Sequence, residues 1–234
     1  PKMRRCYTVN HTQIIDNSVR KYTGQENYTT NINGLEKKLP IVNVGENLWI
    51  ASNASYVLGD INFAKKVAKE LKDKLRDNDI EGLLTAEAKS IGIGYFLADL
   101  LGLEKITIAR KSVKSYMRKP LIVKTRSITT NGEQILVLDS LEAEKIKDKK
   151  IAVFDDVIST GNTINSLIKL AKMVGAEIAV LATVWLEGPW PWDLFGKEIK
   201  SGKLVFLSYL PVFASNETYH RLKKLKDELL KRYL

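Results

Sequence analysis

The chain has 234 residues, 44% hydrophobic and 27% charged, a balance that supports one packed core with an elaboration and argues against disorder. Lys and Arg total 37 against 27 Asp and Glu, a net charge of +10, which invites an anionic partner: nucleic acid, an acidic membrane or a phosphate-rich small ligand. One cysteine, Cys6, and two distant histidines, His11 and His220, exclude an internal disulfide and a zinc site of the usual kind.

Residues 1–60 are rich in Asn, Thr, Tyr and Val, with turn signals at Asn33-Gly34, Gly45 and Gly59. They read as short strands, for example 39–44 and 47–51. Asp60 is placed to cap a helix in which Ile61, Ala64, Val67, Ala68, Leu71 and Leu75 form an apolar stripe opposite lysines. A short buried strand at 80–84 precedes an apolar helix at 90–101 that ends at Gly102, and 105–109 is a second strand. Residues 110–138 read as a loop and further strands, and 151–154 as a third core strand. A helix at 162–174 closes at Gly175, followed by strands at 178–186 and 204–210. From Thr218 onward, Leu222, Leu225, Leu229 and Tyr233 share one helical face. Strands alternating with helices predict an α/β fold, a parallel sheet flanked by helices.

The apolar stretches reach about nine residues, against the roughly twenty that a membrane span needs. The start, Pro-Lys-Met-Arg-Arg, has no apolar core behind it and does not read as a signal peptide. A soluble cytoplasmic protein is the expectation.

The segment richest in chemistry is Ile151-Ala-Val-Phe-Asp155-Asp156-Val157-Ile158-Ser159-Thr160-Gly161-Asn162-Thr163. An apolar strand brings two adjacent carboxylates to its C-terminal end, where open α/β sheets place ligands. The loop that follows offers backbone N–H groups, hydroxyls and a helix N-terminus, which together cradle an anion. Acid beside an anion site suits a ligand with both hydroxyls and a phosphate, such as a ribose 5-phosphate. The alternative is an acidic strand-to-helix turn with a capping Thr. This segment resembles the signature of type I phosphoribosyltransferases: apolar strand, two acids, two apolar residues, then a small-hydroxyl-Gly-x-Thr loop.

Two more segments are similar to that family, and the resemblance covers roughly residues 35–185. Thr85-Ala86-Glu87-Ala88-Lys89-Ser90 corresponds to the loop that grips the pyrophosphate of phosphoribosyl pyrophosphate (PRPP), and its Glu-Ala-Lys resembles adenine phosphoribosyltransferases most. Gly92-Ile93-Gly94 only approaches a dinucleotide fingerprint, because Leu97 stands where the third Gly belongs. Arg110-Lys111-Ser112-Val113-Lys114-Ser115-Tyr116 resembles the family's Arg-Lys-x-x-Lys segment. Seven Lys or Arg and no acid lie between Arg110 and Arg126, a run that reads as a pyrophosphate clamp or as a solvated face. Tyr116–Gln134, with Pro120, Ser127, Thr129, Thr130, Asn131 and Gly132, resembles the family's mobile loop.

The resemblance implies transfer of ribose 5-phosphate from PRPP to a ring nitrogen, with a small hood of N- and C-terminal segments over the core. Residues 1–60 would contribute strands to the hood, 61–186 the core, and 187–234 a base-binding segment and helix. Asp155, Asp156, Lys89, Lys111 and Lys114 are then the catalytic candidates. The PRPP contacts would come from Glu87, Ala88, Lys89, Arg110, Lys111, Lys114, Tyr116, Asp155, Asp156, Ser159, Thr160, Gly161, Asn162 and Thr163. Mg²⁺ would arrive on PRPP, with Asp155 or Asp156 reaching it through water.

For the base, members acting on 6-oxopurines commonly carry Asp at the fifth position of the signature, where this chain has Ser159. They also carry a Lys near the end of the next strand, and the same spacing here lands at Glu187. A 6-oxygen accepts a hydrogen bond while a 6-amino group donates one, so Glu187 suits adenine, with AMP and pyrophosphate as products. The alternatives are an ordinary loop acid at 187 and a hypoxanthine, guanine or xanthine enzyme. Trp190, Trp192 and Phe195 are stacking candidates, worth roughly 1–3 kcal/mol per base, or else core or interface residues; Val157 would wall the base. The resemblance also implies a homodimer. A PRPP-sensing regulator that binds nucleic acid is the competing class, lowered by the absence of a helix-turn-helix pattern in 1–60.

Overall fold

The computed structural model describes residues 10–126 and 133–233. Cys6 and the loop residues Ser127, Thr129, Thr130, Asn131 and Gly132 lie outside them. The N-terminal part runs α1 (His11–Asn17), β1 (Val19–Lys21), β2 (Asn27–Ile32), β3 (Leu35–Gly45), β4 (Leu48–Ala51) and α2 (Ala54–Gly59). The central part runs α3 (Ile61–Leu75), β5 (Gly82–Ala86), α4 (Ser90–Leu100), β6 (Thr107–Ala109), β7 (Leu121–Arg126), β8 (Glu133–Leu138), α5 (Ser140–Ala143), β9 (Lys150–Ile158), α6 (Asn162–Val174) and β10 (Glu177–Glu187). It is followed by α7 (Trp190–Ser201), β11 (Leu204–Leu210), β12 (Val212–Ala214) and α8 (Asn216–Tyr233).

The expected parallel sheet is present, in the order β11-β10-β9-β5-β6. Its central strand β9 is buried on both faces, which is why it reads as a continuous apolar run. Ile151 and Val153 pack with Leu167 and Leu170 of α6 on one face. Ala152 and Phe154 pack with Phe63, Val67, Leu71, Ile93 and Leu97 of α3 and α4 on the other.

A second sheet, β1-β12-β4-β3-β2, joins the chain's two ends. β12 lies parallel to β1 and antiparallel to β4, so N- and C-terminal segments build one hood. The antiparallel pair β7–β8 packs on α6 and is tied to Arg110 by a bridge at Val137. Among the described residues, no helix is long and apolar enough to cross a membrane.

Local signals explain most boundaries. Asp60 caps α3 by accepting the Phe63 N–H at 2.9 Å. Gly175 ends α6 in the left-handed region, φ +84°, with its N–H on the Ala171 and Lys172 carbonyls. Three readings are corrected. Residues 1–60 hold α1 and α2 as well as strands; both helices are short and lack a long apolar period. Ile61 is 63% exposed and Phe63 is buried instead, because the stripe that meets the sheet starts two residues after the first helical position. β9 continues past Phe154 to Ile158, which puts Asp155 and Asp156 inside the strand. Residues 190–201, to which the sequence pattern assigns no element, form a helix, α7.

Candidate active site

The two carboxylates stand in the C-terminal half of β9, flanked by β5 and β10, and are 8% (Asp155) and 4% (Asp156) exposed. Their neighbours come from the loop after β5 and the start of α4. The Ser90 hydroxyl lies 2.8 Å from Asp155 Oδ1 and 2.9 Å from Asp156 Oδ1, and it accepts the Asp156 N–H at 2.9 Å. Lys89 Nζ is 3.0 Å from Asp156 Oδ2. Burial and then the Asp156 charge push the Asp155 carboxyl up to about 7, against the pull of Ser90 and Lys89.

Beyond β9, Ser159, Thr160, Gly161, Asn162 and Thr163 line a cavity of about 160 Å³ together with Gln134, Asp155 and Val157. The cavity lies at the start of α6, whose first N–H groups have no intrahelical acceptor. Gly161 has φ +78°, and a Cβ there would come within 2.7 Å of Leu194 Cδ1. The loop expected to cradle an anion thus lies beside the acids, and Gln134, the last residue of the segment that resembles the mobile loop, joins it from β8. Lys111 lines an adjoining cavity with Thr125, Gln134, Thr163 and Ser166.

The loop after β5 begins with a cis peptide between Glu87 and Ala88. Glu87 takes its hydrogen bonds from the protein: the Lys111 N–H at 2.5 Å and Arg110 Nε at 2.6 Å. Burial pushes its carboxyl up, but the Lys111 N–H and the Arg110 guanidinium outweigh this and hold it below the usual range. Glu87 therefore fastens one basic loop to the other. Arg110 also donates to the Tyr116 hydroxyl at 2.9 Å, and Lys114 Nζ to Ser112 Oγ at 2.6 Å. Ala88 is exposed on the same loop.

Glu187 ends β10 beside the Val157–Ile158 register of β9 and is 7% exposed. Burial raises its carboxyl to about 7; the Ser159 hydroxyl and Lys89 oppose the rise and Asp156 adds to it. Counting along the signature therefore lands on a buried acid that feels the Asp156 and Lys89 charges.

For two of the stacking candidates the structure favours the other reading, a place in the core. Trp192 is fully buried, with His11, Phe206 and Tyr233 rings around it at centroid distances of 5.2, 6.5 and 6.0 Å. Phe195 is buried in the same cluster, beneath Gly161. Their surfaces are used by the core, where α7 packs on the sheet. Trp190 is only half-buried and lines a cavity of about 420 Å³ with Val44, Leu48, Thr160, Arg221 and Leu222.

Among the described residues no cluster of three or more His, Cys, Asp or Glu could hold a metal ion. Asn53, which sequence reasoning missed, donates from Nδ2 to Asp156 Oδ2 at 3.3 Å and accepts from Lys89 Nζ at 3.1 Å. It lies 103 residues from Asp156 in the chain, so no local pattern points to it.

The chain is 25% identical over 150 residues to a xanthine phosphoribosyltransferase of Clostridium tetani, covering 64% of this chain and 73% of that one. It is 27% identical over 154 residues to a hypoxanthine/guanine phosphoribosyltransferase of Methanothermus fervidus, covering 65% and 77%. The fold is similar to the crystal structure of an adenine phosphoribosyltransferase from Thermoanaerobacter pseudethanolicus, with a TM-score of 0.55 at 19% identity over 65% of this chain and 84% of that one. Residues 59–193, more than half the chain and including both loops and the carboxylate pair, match the model described as the phosphoribosyl transferase domain, and the chain belongs to that family.

Proposed function

We propose that the protein is a purine phosphoribosyltransferase that prefers adenine, forming AMP and pyrophosphate from adenine and PRPP. The observation that carries the reading is the juxtaposition of a buried carboxylate pair, a hydroxyl-lined cavity at the start of α6 and Lys89 at one end of the sheet. Asp155 and Asp156 accept hydrogen bonds from the ribose hydroxyls and place negative charge near the cationic ribose that forms as the C1–O bond breaks. Ser159 to Thr163 hold the 5-phosphate, which fixes the ring for attack by the base nitrogen. Lys89, with Lys111 and Lys114 on the second loop, stabilises the departing pyrophosphate.

Mg²⁺ carried by PRPP would neutralise leaving-group charge when bound. Asp155 and Asp156 fit a water-mediated contact to it, because Ser90, Lys89 and Asn53 already occupy part of their acceptor capacity.

Glu187 supports the adenine preference. Ionised, its carboxylate accepts from a 6-amino group. Protonated, it donates to a 6-oxygen. Because burial holds it near neutrality, use of 6-oxopurines is the second reading, favoured by lower pH, and the relatives named above divide in the same way. We further read the protein as a cytoplasmic homodimer; the exposed Tyr95, Tyr116 and Leu141 beside the Arg110 loop support a partner face there. The test of function is pyrophosphate release from Mg-PRPP with adenine, hypoxanthine, guanine and xanthine in turn. Adenine is expected to give the highest kcat/KM at pH 8, and the failure of all four bases to give release would overturn the reading.

A further inference from the structure

Asn53 is a hood residue with an unusual use of its side chain. It stands at the N-cap of α2, a position where Asn ordinarily accepts a backbone N–H of the first turn. Two other caps in this chain do so: Asn10 accepts from Gln13 N at 3.1 Å and Asp60 from Phe63 N at 2.9 Å. Asn53 makes no such bond. The residue is 4% exposed and its carboxamide is turned to the site, with Oδ1 on the Lys89 ammonium and Nδ2 on Asp156 Oδ2. Lys89 and Asp156 are themselves paired at 3.0 Å, so the three groups close a triangle.

The polarity of the amide fits this triangle and no isosteric residue does. Its oxygen faces a donor and its nitrogen faces an acceptor. An Asp would still accept from Lys89, but it would lose the donor to Asp156 and set a third carboxylate against the pair. An apolar side chain would leave both partners short of a hydrogen bond.

Lys89 needs such a tether. Its side chain is 42% exposed, and a free Lys stem samples many rotamers. We propose that Asn53 is a positioning residue: it holds the Lys89 ammonium and the Asp156 carboxylate as one preformed unit, so that the pyrophosphate and the ribose of PRPP meet both in place. The inference rests on the assignment of Lys89 to pyrophosphate and Asp156 to ribose. It adds that the hood, through β4 and α2, organises the PRPP half of the site.

The experiment is steady-state kinetics of full-length wild type, Asn53→Ala and Asn53→Asp with Mg-PRPP and adenine, with calorimetric titration of Mg-PRPP into each. Asn53→Ala is expected to raise the KM and Kd for PRPP about tenfold and to leave the KM for adenine within about twofold. Asn53→Asp is expected to be worse than Asn53→Ala. In a Lys89→Met background, Asn53→Ala is expected to lose most of its effect on PRPP, as partners in one network do. A lowered melting temperature with PRPP binding unchanged would overturn the inference, as would an undiminished effect in the Lys89→Met background. Wild-type protein that does not bind PRPP would instead overturn the assignment on which the inference rests.

Discussion

Among the described residues, burial pushes two carboxyls, Asp155 and Glu187, up to about 7, and each feels the Lys89 charge. Glu187 allows a stability prediction. Its folded value of about 7 lies above the ordinary 4.5, so the folded state keeps a proton that the unfolded state gives up. Below pH 4.5 the burial costs nothing through ionisation. Between 4.5 and 7 stability falls as pH rises, and above 7 the full penalty, roughly 3 kcal/mol, is present. Glu187→Gln keeps an acceptor for Ser159 and carries no charge. It is expected to melt several degrees above wild type at pH 8, with the difference shrinking toward pH 5. Equal shifts at both values would show that Glu187 is not held near neutrality. The same substitution weakens the charged acceptor for a 6-amino group and is expected to lower kcat/KM for adenine. At this scale the sequence was informative where chemistry is local. Asp155, Asp156 and the Ser159–Thr163 loop are contiguous, and Glu187 follows from a strand-to-strand count. Asn53 and Gln134 reach the site only through tertiary folding, and Trp192 and Phe195 stay open between ligand and core in sequence because an aromatic looks the same there in either place.

The loop between β9 and α6 depends on Gly161. At φ +78° a residue with a Cβ is strained by about 1–2 kcal/mol, and the added carbon would push on Leu194. Gly161→Ala is therefore expected to lower stability by about that amount and to raise the KM for PRPP, read by thermal melting and kinetics; an unchanged KM would remove the loop from phosphate binding. Elements with strong local signals were legible. α6 begins and ends where Gly161 and Gly175 bracket an apolar period, and β11 is an apolar run between Gly202 and Pro211. α1 and α2 were not, since each is under two full turns of apolar pattern. Nor was α7, whose helical path is broken by non-helical angles at Phe195.

Across the whole molecule, the hood was foreseeable only by resemblance. Its register, Val212 opposite Ile50 and Val19 opposite Val212, joins segments from the two ends of the chain. The charge of +10 is partly explained by the cations around the site, Lys89, Arg110, Lys111 and Lys114. On α8, Lys223, Lys226 and Arg232 pair with Asp227, Asp16 and Asp193, which reads as a solvated helix face. A homodimer through the Tyr95–Tyr116–Leu141 face predicts twice the chain mass in sedimentation equilibrium, lowered toward the monomer by Leu141→Glu; a monomeric wild type would contradict it.

The central claim is that the Asp155–Asp156 pair binds the ribose of PRPP during transfer to a purine. The most direct measurement is adenine-dependent pyrophosphate release from Mg-PRPP by wild type and by the Asp155→Asn/Asp156→Asn double variant, with melting temperatures recorded alongside. The account predicts release by wild type and a loss of orders of magnitude in the double variant with the fold retained. Near-wild-type release by the double variant would contradict it.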